Sequence, residues 1–220
     1  TPETDRIGMI SKLFEASRIA PWNTHYRNQL GLQLARDAGK SNDPAQRGLA
    51  RTEFFSSLAI DPAQEPIHAN LAWLWLPDDP FKAEIEFRRA LALLPDRDTL
   101  HYGLAISRLA TGNEPGAIRA LALECLVDPM FIASPLWTRP DLAAVHPQVE
   151  AQLEALLERA GSHPAMPGWR KRDLAYFHAF IRWWKGGSAP TGEELAGADD
   201  RQRAFFATAA LPSPAATEWP

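Results

Sequence analysis

A chain of 220 residues with 45% hydrophobic and 23% charged residues has the balance of a folded protein, long enough for one elongated domain or two small ones. Its net charge of −4, with basic residues spread and not clustered, leaves no footprint for a nucleic-acid backbone, so nucleic acid is not an expected partner. The lone Cys125 excludes an intrachain disulfide, and the longest uncharged stretch, 204–217, is interrupted by prolines and is too short for a bilayer span of roughly 20 apolar residues.

The start, "TPETDR", has no Met and no basic or apolar leader, and reads as a processed or excised piece of a longer protein. The first element is "KLFEASRIAP", which places Leu13 and Ala16 on one helical face and Pro21 just past its end. Next comes "NQLGLQLA", with a large residue followed by a small one at Leu30 and Gly31. "ARTEFFSSLAIDP" then repeats the first pattern in fuller form, Ala50, Phe54, Ser57 and Pro62, at the spacing A-x3-F-x2-A-x4-P. "ANLAWLWL" gives a second large-small pair at Leu71 and Ala72, and "AEIEFRRALALLP" the clearest copy of the template at Ala83, Phe87, Ala90 and Pro95. "YGLAISRLA" (Leu104, Ala105) and "AIRALALECLVDP" (Ala117, Leu121, Glu124, Pro129) complete the series.

The four prolines lie 41, 33 and 34 residues apart. Amphipathic helices often show apolar residues at i, i+4 and i+7, but chance does not readily add a terminal proline at a near-constant period. A large side chain opposite a small one lets antiparallel helices pack closely, so each period predicts a helix pair. The 41-residue interval predicts a loop lengthened by seven residues at "GKSNDPAQ" (39–46); in "DDPF", Asp79 is an expected N-cap and Pro80 the first helical residue.

Over residues 6–130 this pattern resembles the tetratricopeptide repeat (TPR), a helix-turn-helix unit of about 34 residues. The resemblance implies an all-α, TPR-like α-solenoid of antiparallel helix pairs, with about three repeats and a partial N-terminal helix over 1–130. The non-repeating remainder, 131–212, is expected to form a C-terminal helical cap packed on the repeats, and 213–220 a frayed tail. Within the cap, "QVEAQLEALLERAG" predicts a helix with Val149, Leu153, Leu156 and Leu157 on one face, and "WRKRDLAYFHAFIRWWKGG" one with Leu174, Phe177, Ile181 and Trp184 on one face. "DDRQRAFFATAAL" predicts a last helix from Asp199 or Asp200.

A second stretch, "ECLVDPMFIASPLW" (124–137), resembles the soluble TPR-bearing tails of bacterial membrane enzymes of the O-antigen ligase and polymerase type. That resemblance implies an extracytoplasmic accessory domain, tethered to a membrane region upstream; without it the chain would be expected in the cytoplasm.

The sequence contains none of the phosphate-binding, dinucleotide-binding, nucleophile-elbow or zincin motifs. The expectation is a segment that is not an enzyme, without cofactor, metal or catalytic residues. Cys125 reads as a small buried hydrophobe, and His146, His163 and His178 lack metal-ligand spacing. His68 and His101, each three residues before the Leu of a large-small pair, read as packing positions, and Asp98 as a helix cap.

Function in such a fold is sought on its surface. In TPR arrays the first helices line a concave face, which here places Asn28, Leu32, Arg36, Trp73, Leu76, Tyr102, Ile106 and Leu109 in the groove. The Lys-Asn-Arg clamp of chaperone-binding TPR domains is broken: Asn28 and Asn70 remain, while Leu32, Thr99 and Gly103 stand at the other positions. The apolar groove is either filled by the chain's own C-terminal helices or takes a protein or peptide partner. Trp183 and Trp184 are added as candidate anchors, since adjacent helical residues diverge by about 100° and at most one can face the core. Stacking on a sugar would use the same aromatic residues.

Overall fold

A computed structural model describes residues 2–162, 168–184, 188–200 and 202–204. Among these residues the only regular elements are helical. The chain divides into two compact units, 1–117 and 118–220.

The first unit holds α1 (Pro2–Ile19), α2 (Thr24–Ser41), α3 (Pro44–Leu58), α4 (Glu65–Trp75), α5 (Pro80–Leu93) and α6 (Leu100–Ala110); α7 (Glu114–Val127) runs across the division. Consecutive helices pack against each other, α2 on α3 and α4 on α5 as pairs, with α1 on α2 and α5 on α6. The seam positions read from the template are the core: Ala50, Phe54 and Ser57, and Ala83, Phe87 and Ala90, are all 0% exposed. Small residues across the seam are required by distance. A Cβ at Gly31 would lie 2.6 Å from Phe54 Cε1, and one at Gly103 would run into the Phe87 ring.

The 41-residue interval is built differently from the expected loop. Gly39, Lys40 and Ser41 continue α2, Pro44 opens α3, and only Asn42 and Asp43 connect them. Two features allow so tight a join. Asn42 adopts the left-handed conformation (φ 50°), which asparagine tolerates better than most residues, and Asp43 accepts from Ala45 N as an N-cap with proline at the first helical position. Asp79 and Pro80 repeat the arrangement at α5, where Asp79 accepts from Lys82 N. Asp98 does not cap α6: the N-cap position is Thr99, also left-handed at φ 67°.

Polar links recur at the repeat period. Arg6 pairs with Asp37 (2.5 Å), and Arg47, at the same distance before its proline, pairs with Asp78 (2.7 Å); Asp37 and Asp78 each follow the Leu of a large-small pair by seven residues. In the next copy Pro80 and Thr111 stand at those positions, and α5 and α6 are linked elsewhere, Glu84 taking Arg108 at 2.9 Å. Arg27, His68 and His101 form a second series, each donating to the carbonyl of the proline six residues earlier: Pro21 (3.4 Å), Pro62 (3.0 Å) and Pro95 (3.1 Å). Arg27 and His68 also reach the second helix of their own pair, Arg27 to Glu53 (3.2 Å) and His68 Nδ1 to Glu86 (2.6 Å). The matching position for His101 holds Ala120, and His101 Nδ1 is buried with no hydrogen-bond partner.

The second unit contains α8 (His146–Gly161), α9 (Gly168–Trp184) and short 3-10 turns at Pro129–Ala133, Ala143–Val145 and Glu194–Gly197. Of the expected α8 face, Val149, Leu153 and Leu157 are buried and Leu156 is half-buried, and Cys125 is buried, which pushes its thiol well up from the ordinary value. On α9 the buried residues are Tyr176, Ala179, Phe180, Ile181 and Trp183, while Phe177 is half-buried, so the apolar stripe sits one position off the expected Phe177–Ile181–Trp184 face. The side chains of Leu174 and Trp184, most of the expected last helix and the 213–220 tail lie outside the described residues. Trp137, within the "ECLVDPMFIASPLW" stretch, is a core residue: its ring stacks on His146 (4.1 Å, 8°), whose Nε2 donates to the Trp137 carbonyl.

Candidate interaction groove

The first helices of the pairs do not present all the expected residues to solvent. Asn28 donates to Gln64 Oε1 at 2.7 Å, tying α2 to the turn before α4. Leu32 packs against the cluster formed by Ala50, Phe54, Ile67, Leu71 and Leu74, and Leu76, Ile106 and Leu109 are half-buried. Arg36 is exposed. Tyr102 is 3% exposed and so is Trp183, which corrects both as surface anchors: rings this enclosed offer no free face to a partner. The side chain of Trp184, the other candidate anchor, lies outside the described residues.

Trp73 is different. It is 36% exposed, and what is covered is held by aromatic contacts, edge-on to Phe87 (4.9 Å, 84°) and tilted over Tyr102 (6.2 Å). Two such contacts fix the ring's orientation, and each is worth about 0.5–1.5 kcal/mol beyond area burial. The ring forms one wall of a cleft of about 300 Å³ between α2 and α4, with Ala35, Gly39, Arg47, Asn70 and Pro77 among the other lining residues. Arg47 brings a cation to this cleft, but its charge is met by Asp78 and by Asn42 Oδ1. The guanidinium of Arg47 beside Asp78 holds that carboxyl below its usual value, with Arg51 adding to the effect. The cleft therefore combines an aromatic anchor, small apolar walls and one amide, Asn70, a composition suited to an apolar side chain with a backbone carbonyl or N–H beside it.

Of the expected groove residues only Trp73 lines this cleft; Gly39, Arg47 and Pro77 were not singled out by the reading of the sequence. Gly39 is recoverable only once α2 is known to continue past it. A larger cleft of about 560 Å³ lies between α3 and α5, with Phe55, Leu58, Pro62, His68, Arg89 and Leu93 on its walls. Its polar groups are engaged with one another, His68 with Pro62 and Glu86, and Arg89 with Glu86 at 2.6 Å. Among the described residues no cluster of His, Cys, Asp or Glu could hold a metal ion, and no helix is long and apolar enough to cross a membrane.

No family model matches the chain, and no curated protein matches its sequence. Among solved structures, the crystal structure of MamA protein superposes with a TM-score of 0.55 at 16% identity, covering 96% of this chain and 91% of that one. Identity this low shows fold alone, and the fold is the one the repeat implies: an all-α, TPR-like array of adjacent helix pairs.

Proposed function

We propose that the chain is a non-catalytic protein-interaction scaffold, and that the cleft between α2 and α4 receives an apolar side chain of a peptide or helix, with Trp73 as the anchor. The observation that carries this reading is the Trp73 ring itself, one-third exposed yet fixed by Phe87 and Tyr102 at the wall of a cleft. A pre-oriented tryptophan loses little conformational entropy on binding, and tryptophan dominates the energetics of many interfaces. The helical-repeat fold is in keeping with a scaffold whose partner is protein.

The test is selection of peptides from a displayed library on the full chain, followed by affinity measurement with Trp73→Ala and, as control, Trp22→Ala. Trp22 is 72% exposed and is not a lining residue of the cleft. The selected peptides should lose about 30-fold or more in affinity on Trp73→Ala, as a hot-spot loss of about 2 kcal/mol implies, and little on Trp22→Ala. Peptides indifferent to Trp73→Ala would remove the cleft from the account.

A further inference from the structure

The first helices of the pairs carry an uneven charge. Of the Asp, Glu, Lys and Arg residues on α2, α4 and α6, all but two are closed in ion pairs: Arg27 with Glu53, Asp37 with Arg6, Glu65 with Arg97 and Arg108 with Glu84. The two that remain, Arg36 and Lys40, are both positive and exposed, and among the described residues their side chains meet no partner. The helix dipole accounts for Lys40, in the last turn of α2; it does not account for Arg36, a turn earlier.

Both cations flank the Trp73 cleft. Each follows directly on a lining residue, Ala35 or Gly39, so a helical step of about 100° sets it on the shoulder of the α2 wall. They stand about 6 Å apart along the helix and act on one region together. The acids nearby are already engaged: Asp78 answers Arg47 and Arg51, and Asp43 accepts from Ala45 N at the start of α3. Charges are screened over about 8 Å at physiological ionic strength, so the net −4 of the whole chain does not cancel this local excess. On the α6 side of Trp73 the surface is neutral, since Arg108 is held by Glu84 and Tyr102, Ile106 and Leu109 carry no charge.

From this we infer that the partner is an acid-flanked peptide: an extended segment whose apolar anchor enters beside Trp73, with Asp or Glu on the side that crosses α2 and uncharged residues on the side toward α6. This occupant presupposes the Trp73 cleft reading and adds the partner's charge to it. Neighbouring helix axes lie about 8–10 Å apart and an extended chain advances about 3.3 Å per residue, which puts the acid about two or three residues from the anchor. Asn70 favours an extended segment. Its side-chain amide lines the cleft without a partner among the described residues, and a docked helix would have its own backbone groups already bonded.

The probe is a displayed library of random peptides, selected on the full chain and separately on the chain carrying Arg36→Glu and Lys40→Glu. Both residues are exposed, so the fold is expected to persist, with circular dichroism as the check. Peptides from the first selection should carry Asp or Glu on one side of an apolar anchor and bind the double variant about tenfold more weakly, as two exposed attractions turned to repulsions imply. Arg36→Gln with Lys40→Gln should weaken binding about threefold, and salt at about 0.5 M should close both gaps. Peptides from the second selection should carry Lys or Arg in place of the acid. Selected peptides without an acidic preference, or affinity that Trp73→Ala abolishes and the double variant leaves unmoved, would overturn the inference while the cleft reading stands. Self-association of the chain that Trp73→Ala abolishes would do the same, the occupant then being a second copy. An empty selection, or affinity lost on the double variant but indifferent to Trp73→Ala, would overturn both.

Discussion

Replacing Phe87 by alanine separates a packing seam from an ordinary amphipathic helix. Phe87 is 0% exposed, meets Trp73 edge-on at 4.9 Å, and fills the space over Gly103 so closely that a Cβ there would collide with its ring. Truncating a ring so enclosed removes its transfer free energy and leaves a cavity that backbone so tightly set cannot collapse into, a loss of about 3–5 kcal/mol. For a domain with a urea m-value of about 2 kcal/mol/M, that is a fall in midpoint of roughly 1.5–2.5 M. Phe81, on the same helix and 67% exposed, is the matched control, and Phe81→Ala should stay within about 0.5 kcal/mol. Because the chain has two compact units, the readout should be local: hydrogen exchange of α4 and α5 amides alongside the urea transition. If Phe87→Ala cost no more than Phe81→Ala, the seam would not be what holds the pairs together.

Gly31→Ala should destabilise by about 1–2 kcal/mol, because overpacking against Phe54 outweighs the helix-propensity gain of about 1 kcal/mol; Gly39→Ala, with nothing within 4 Å of the new methyl, should stabilise by up to that gain. Thermal denaturation of both variants checks the opposite signs. Asp78→Asn should lose stability at neutral pH, where the depressed carboxylate is ionised and paired with Arg47 and Arg51. The gap from wild type should close as pH falls through the depressed value and the native carboxyl is protonated. His101 carries the opposite dependence. Burial lowers its pKa, so its neutral form is favoured in the folded state, and stability should fall as pH drops from the ordinary histidine value toward the lowered one. Replacing His101 with Gln should flatten that part of the pH–stability profile.

The repeat was legible because its signals are local and periodic: a proline ends each second helix, and small residues mark where two backbones meet. Gly31 opposite Phe54 could be read from either end. The continuation of α2 was not legible, because "GKSNDP" has the composition of a turn, and its Gly, Lys and Ser are helical only by joining to α3 across two residues, one left-handed. The ionic links were hidden for another reason: Arg6 and Asp37 stand 31 residues apart, as do Arg47 and Asp78, and nothing local ties either pair together. Their equal spacing from the proline and the Leu was the available signal, visible once the copies are aligned. Tyr102 was assigned to the groove by helical register, which specifies a face but not whether neighbours such as Trp73 already cover it. Trp183 and Trp184 posed the same problem in smaller form. The sequence said that at most one faces the core, and burial of Trp183 names that one.

The most direct measurement of the scaffold reading places a photoreactive side chain at Gly39, which lines the Trp73 cleft and has open space for a substituent, and another at Gly48 on α3, which also has open space but is not a lining residue of that cleft. Irradiated with a selected peptide, the Gly39 variant should crosslink strongly and lose that crosslink on Trp73→Ala, while the Gly48 variant should crosslink weakly in both backgrounds. Equal crosslinking from the two positions, or a Gly39 crosslink unchanged by Trp73→Ala, would contradict the assignment of binding to the α2–α4 cleft.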